Sequence, residues 1–304
     1  MKRKVSGNNP EYLHKFEAAR HFEEEGRALH AMQLYLRLTE EYPLEPEAPI
    51  ALSMLYDKSD KQENAKSVLQ NALKANPDNI ILRLYAGHYY FKLEEWHETI
   101  EILSRFIPEK EPIALFFTAY AYFMLDNFKL SKHYFLLYIK LKEPHDYLRD
   151  AYVYLAKIYI HLEDYETALE YVKKADVLFS GHFEVHFLFA IVYYHLEMYT
   201  HALAEIDKAH KLDRGNLQIV EWAGKISLQL KDYKKAEKHL RKYIDNVDKV
   251  QADTYVDLGT ACMYNKKTKD AEQFFSIALK TEAKHAGALA GLKRLKNDYV
   301  SFER

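Results

Sequence analysis

Eight short segments of this chain share one pattern, a small residue followed four places later by a larger, mostly apolar one. They read RALHAMQLYLRL (Arg27–Leu38), KQENAKSVLQNAL, EWHETIEILSRF, NFKLSKHYFLLY, DYETALEYVKKA, MYTHALAEIDKA, DYKKAEKHLRKY and KTKDAEQFFSIAL. The small residues are Ala31, Ala65, Thr99, Ser131, Ala168, Ala202, Ala236 and Ala271, spaced by 34, 34, 32, 37, 34, 34 and 35 residues. A fixed period of this length predicts a row of like modules, each burying its apolar face against the next.

Ahead of these segments lies a second helical pattern that ends in a short polar turn, as in KSDKQ, KLEEW, MLDNF, HLEDY, HLEMY, QLKDY and YNKKT. Apolar residues at i, i+3, i+4 and i+7 in both halves predict helix, tight turn, helix. No sustained period-2 alternation supports strands. Only nine glycines and eight prolines occur in 304 residues, which disfavours flexible linkers and an all-β fold.

These units resemble the tetratricopeptide repeat family, whose signature runs large residue, Leu-Gly, Tyr, then Ala, an aromatic or aliphatic residue, and Pro. In the fifth unit Tyr152, Leu155, Ala156, Tyr159, Tyr165, Ala168 and Ala175 hold the signature places, and in the sixth His186, Phe189, Ala190, Tyr193, Tyr199, Ala202 and Ala209. The third keeps Gly87 and Tyr90, the seventh Gly224, Tyr233 and Ala236, and the eighth Leu258, Gly259, Ala271 and Ala278. Pro43 and Pro77 close the first two units; the fourth has Ala119 and Tyr122 but Ser131 for alanine. The resemblance implies an all-α, right-handed α-solenoid superhelix of stacked antiparallel helix pairs. The expected layout is a flexible stretch over 1–9, eight repeats as one solenoid domain over 10–283, a capping helix over 284–298 and a tail over 299–304. Asn9-Pro10 is the expected first helix start.

In this family a stripe of each first helix lines the inside of the superhelix. Taken at i, i+4, i+7, it contains Leu84, His88 and Phe91, then Phe116, Tyr120 and Phe123. Further along come Lys157, with Val153 and Ile160 beside it, and Phe187, Ile191 and Tyr194. The ends are more mixed: Ile50, Met54 and Asp57 at one, Glu221, Lys225, Leu228, Val256, Thr260 and Met263 at the other. An aromatic middle of this kind suits a partner's peptide or helix, since exposed apolar patches and aromatic anchors mark protein interfaces. Burial of the stripe by tight curvature is the alternative. Family members that clamp a chaperone's C-terminal carboxylate use Lys and Asn there; Ile50, Met54, Leu84, His88, Phe116 and Tyr120 cannot assemble that clamp.

The uncharged run IALFFTAYAYFML, Ile113–Leu125, must be hidden in protein, because thirteen helical residues rise only about 20 Å and a bilayer core needs about 20 residues. No apolar stretch follows the basic N-terminus, so neither a secretory signal nor membrane insertion is expected, and the expected location is cytoplasmic. A net charge of −2 gives no push towards nucleic acid, and the basic run Lys234–Lys242 reads as a solvated outer face. With a single cysteine, Cys262, no intrachain disulfide is available, and this residue reads as a buried hydrophobe.

The chain carries no Walker A loop, dinucleotide fingerprint, HExxH, nucleophile elbow or EF-hand loop, so no enzyme activity, cofactor or metal is expected. His182 and His186 stand at i, i+4, but the signature place of His186 favours packing over ligation. The expected function is a non-catalytic interaction scaffold. Its alternatives are a homo-oligomer joined through the array's ends or the tail (Tyr299, Val300, Phe302), and a sensor of a peptide or small ligand that regulates a partner.

Overall fold

The computed structural model describes residues 9–105, 111–141, 146–179 and 181–302, and for 298–302 the backbone alone. Residues 1–8 and 303–304, and the side chains of Tyr299, Val300 and Phe302, lie outside what it describes. Among the described residues there are seventeen helices and no strand.

The packing divides the chain into two compact units, Met1–His145 and Asp146–Arg304, where the sequence reading expected one continuous domain. The 37-residue spacing between Ser131 and Ala168 spans that division. The first unit holds α1 (Pro10–Glu24), α2 (Ala28–Glu41), α3 (Glu47–Lys58), α4 (Gln62–Ala75), α5 (Ile80–Lys92), α6 (Trp96–Leu103), α7 (Pro112–Met124) and α8 (Phe128–Tyr138). The second holds α9 (Leu148–His161), α10 (Tyr165–Leu178), α11 (Phe183–His195), α12 (Tyr199–Leu212), α13 (Leu217–Gln229), α14 (Tyr233–Ile244), α15 (Ala252–Tyr264), α16 (Thr268–Thr281) and α17 (Ala286–Phe302). Within each unit, odd and even helices pair and successive pairs stack, which makes each an α-solenoid. The terminal helix α17 packs on α15 and α16 and runs on to Phe302, past the expected end at 298.

One turn geometry builds every pair. The residues Gly26, Asp60, Glu94, Asp126, Glu163, Glu197, Lys231 and Lys266 all have positive φ, between 55° and 76°, and recur at the spacing of the small residues. Each reverses the chain in the Schellman manner: after α3, Asp60 N–H donates to the Asp57 carbonyl at 3.1 Å and Lys61 N–H to Tyr56 at 2.9 Å. The next residue is already the N-cap of the second helix, and its carbonyl accepts from the small residue, as in Ala168 N–H to Asp164 at 3.0 Å. The turn therefore sets where that small residue stands. Only Gly26 takes the left-handed conformation without the Cβ penalty of about 1–2 kcal/mol. Asn9, Asn79, Asn127, Asp164, Asn216 and Asp232 cap helix N-termini with their side chains.

All eight small residues are fully buried, and so are the larger residues four places on: Tyr35, Leu69, Leu103, Phe135, Val172, Ile206, Leu240 and Phe275. The larger residues fill space that the first helix leaves open. A Cβ built on Gly224 would stand 2.7 Å from Leu240 Cγ, and one on Gly259 would stand 2.8 Å from Phe275 Cε1. Ser131 replaces alanine without an orphaned hydroxyl, because its Oγ donates to the Ala119 carbonyl at 2.8 Å.

Overfilling this interlock is expected to cost stability. Ala168→Leu and Ala202→Leu should each destabilise by roughly 1–3 kcal/mol. Glu163→Gly, which removes the Cβ at a left-handed position, should stabilise by about 1 kcal/mol. Urea unfolding midpoints measure both; an unshifted midpoint for both leucine variants would show that the crossing is not close-packed.

Candidate functional site

The uncharged segment Ile113–Leu125 is largely hidden by protein, although Met124 is exposed. Residues 114–119 and Ala121 of α7 are buried, while Tyr120, Tyr122 and Phe123 remain part-exposed. Phe116 does not line an open face, contrary to the sequence expectation. It is 4% exposed and packs edge-on to Phe135 and tilted against Tyr138, each at 5.6 Å. Those two rings of α8 are large enough to cover it. Ile191 is likewise covered at 9% exposure, as are Ile50 and Val153.

What α5 and α7 do bring together is a ring cluster. Phe91 stacks on Phe117 at 4.2 Å and meets Tyr120 edge-to-face at 5.1 Å, while His88 stacks on Phe117 at 5.5 Å. Leu84 is half-buried and His88 exposed. Trp96, at the start of α6, closes the cluster 5.6 Å from both Phe91 and Tyr120. Phe123 points elsewhere, to Phe128 at 5.5 Å.

Trp96 was not anticipated as a site residue, yet its place follows a rule. Phe91 with Trp96, Phe123 with Phe128 and Tyr194 with Tyr199 are edge-to-face pairs five residues apart across the tight turn, at 5.5 to 5.6 Å. The same second-helix place stacks on the following helix pair, as Tyr165 does on His195 at 4.4 Å and Tyr233 on Tyr264 at 4.3 Å. An aromatic residue just after the turn is the sequence signal that marks it.

In the second unit Lys157 is tied to Glu184 of the next first helix at 2.6 Å. Phe187 and Tyr194 are half-buried, with Tyr194 edge-on to Trp222 at 5.3 Å and its hydroxyl accepting from Gln229 Nε2 at 3.2 Å. Beyond Trp222 the face turns polar. Lys225 Nζ lies 2.9 Å from Glu221 and 5.2 Å from the Trp222 ring centre, and Thr254 donates to Glu221 at 2.7 Å. His285 pairs with Asp253 at 2.8 Å. Asp257, half-buried beside them, is pushed up to about 6 by burial and by the charges of Asp253 and Glu221, against the pull of Lys225 and His285.

One acid–thiol grouping among the described residues, Glu237, Cys262 and Asp270, is compact enough for a metal. It already encloses a cation: the Arg241 guanidinium donates to Glu237 at 2.9 Å, to Cys262 Sγ at 3.6 Å and to Asp270. Burial pushes the Cys262 thiol up to about 11, so it stays protonated near neutrality. His182 and His186 separate into different jobs, the first accepting from Glu184 N–H at the start of α11, the second bonded to Glu205 at 2.7 Å. In the Lys234–Lys242 run, Ala236, Glu237 and Leu240 are buried, while Lys234, Lys235, Lys238 and Lys242 face solvent.

The sequence profile described as tetratricopeptide repeat matches residues 49–79 and 150–176, one segment in each unit. Those segments are tetratricopeptide repeats. Among the described residues the other helix pairs pack in the same way, each first helix against its second and successive pairs against one another within each unit. Among solved structures the chain is similar to a chain of the APC/C hetero-tetramer Cut9-Hcn1, at 14% identity over 88% of this chain, with TM-score 0.61. This chain spans about half of that one, 52%. It is also similar to MamA 41-end from Desulfovibrio magneticus RS-1, at 18% identity, TM-score 0.50, over 55% of this chain and 94% of that one. Identities this low speak for the fold alone. No curated protein matches the sequence. No helix among the described residues is long and apolar enough to cross a membrane.

Asp257 yields a pH-dependent prediction. Its native carboxyl keeps a proton up to about pH 6, whereas an ordinary aspartate releases it near 3.8. Between those values the native state holds more protons than the unfolded chain, so this group's contribution to stability falls as pH rises through the window. Asp257→Asn should therefore raise the melting temperature at pH 7.5, with the gain vanishing towards pH 4. Calorimetric scans at both pH values check it.

Proposed function

We propose that this chain is a non-catalytic protein-interaction scaffold whose first-helix faces take up an extended or helical segment of a partner protein. The tetratricopeptide fold is a general interaction scaffold. The observation that carries the proposal is the set of part-exposed rings on those faces, Phe91, Tyr120 and Phe123 in the first unit with Trp96 of α6 beside them, and Phe187, Tyr194 and Trp222 in the second. A side chain that only fills a core is covered, as Phe116 and Ile191 are. These rings keep accessible faces, and aromatic side chains of this kind lose little conformational entropy when a partner covers them. His88 and Leu84 border the first cluster, and Lys157 with its Glu184 partner borders the second, as polar and aliphatic rims. A cytoplasmic setting is part of the proposal; the near-neutral charge and single cysteine accord with it.

The double variant Tyr120→Asp with Phe123→Asp tests this reading. Both side chains are part-exposed, so far-ultraviolet circular dichroism should keep its helical signal while affinity capture of partners from native lysate is lost. Undiminished capture of the same partners would overturn the reading for the first unit.

A further inference from the structure

The polar end of the second unit's face carries a charge imbalance. Three carboxylates, Glu221, Asp253 and Asp257, stand among two basic groups, Lys225 and His285. Lys225 is committed to Glu221 at 2.9 Å, and Glu221 also receives the Thr254 hydroxyl. His285 is committed to Asp253. Asp257 has no hydrogen bond or ion pair of its own among the described residues, and one negative charge is left over even with His285 protonated. It acts electrostatically on Lys225 and on Tyr194, and both of these lie against the Trp222 ring, at 5.2 and 5.3 Å. Asp257, Tyr194 and Trp222 are all half-buried and so remain within reach of a ligand.

On the reading that this face binds a partner segment, we propose that the Tyr194–Trp222–Asp257 end takes a lysine or arginine side chain of that segment, with its cation between the aromatic rings and the Asp257 carboxylate. Three features favour such an occupant. A cation supplies the charge that Asp257 lacks, and partial burial lowers the local dielectric and strengthens that attraction. Indole is the best of the aromatic cation hosts, and Lys225 already lies within cation–π range of this one. An acidic or purely aliphatic side chain would leave the carboxylate uncompensated while burying it further, which is costly. Around Asp257 the titratable neighbours are Glu221 and Lys225 of α13, Asp253 of α15, His285 ahead of α17 and Tyr194 of α11. Asp257 ionises with its midpoint at about 6, so cation capture should strengthen between pH 5 and pH 7.5.

The sequence has two tryptophans, so the full-length chain carrying Trp96→Phe reports through Trp222 alone. Its fluorescence is titrated with four acetylated hexapeptide pools, randomised except for a central Lys, Arg, Leu or Glu. At pH 7.5 the Lys and Arg pools should bind about tenfold more tightly than the Leu and Glu pools. That advantage should disappear at pH 5 and in Asp257→Asn, and should return in Asp257→Glu. If the Leu pool binds as well as the Lys pool, the cation inference falls while an interaction face stands. An advantage that survives Asp257→Asn also overturns it. Silence from every pool overturns it too, and the Tyr120/Phe123 capture experiment then decides the interaction reading separately.

Discussion

The whole molecule depends on one crossing, repeated eight times, where the second helix of a pair presents a small residue and, one turn on, a large one to the first helix. The small residue lets the backbones approach; the large one fills the gap that the approach leaves. The left-handed residue at the turn fixes the register, because the N-cap that follows it bonds the very amide of the small residue. Backbone hydrogen bonding and side-chain packing thus specify the same geometry, and agreement of this sort makes a repeat foldable. It also explains why seven non-glycine residues can sit at positive φ: the two bonds of the turn and the packing behind it offset the strain.

That crossing determines what is left for binding. Once the second helix covers one side of a first helix and its neighbours another, only a narrow stripe stays open. Its width is set by the size of the residues on the covering helices. Phe135 and Tyr138 on α8 are bulky enough to enclose Phe116. Elsewhere the coverage is thinner and the rings beyond it remain accessible. The edge-to-face pairs across the turns brace these rings without hiding them, so a partner would meet an ordered aromatic surface and not a set of free rotors.

Charge is distributed differently in the two kinds of place. On the outer side of the second unit, Glu237 is held well ionised: burial would raise its carboxyl, but hydrogen bonds from Lys267, Arg241 and Asn265 outweigh it. That network is closed, and Arg241 fills the space in which the sequence might suggest a ligand. On the first-helix face the polar groups around Asp257 are not closed in this way. A satisfied network stabilises the array, while an unsatisfied one is destabilising until something covers it.

The sequence alone determined the helix pairs, their number, the small and large core places and the tight polar turns between them, because these are local patterns written in spacing and residue size; the left-handed conformation of those turns came from the structure. Tyr165, Tyr199 and Tyr233 were legible as signature residues, and the stripe of first-helix residues was legible as a register. Whether a given member of that stripe is open was not legible. Exposure depends on side chains of the next pair, nearly thirty residues away, as Lys157 with Glu184 and Tyr194 with Trp222 illustrate. Only the tertiary structure buried Phe116 and Ile191, drew Trp96 and Trp222 into the ring clusters, and divided the row into two units near residue 145. It likewise left Asp257 without an ion pair of its own among the described residues, since the balance of charge around a side chain is a sum over elements that the chain brings together only on folding.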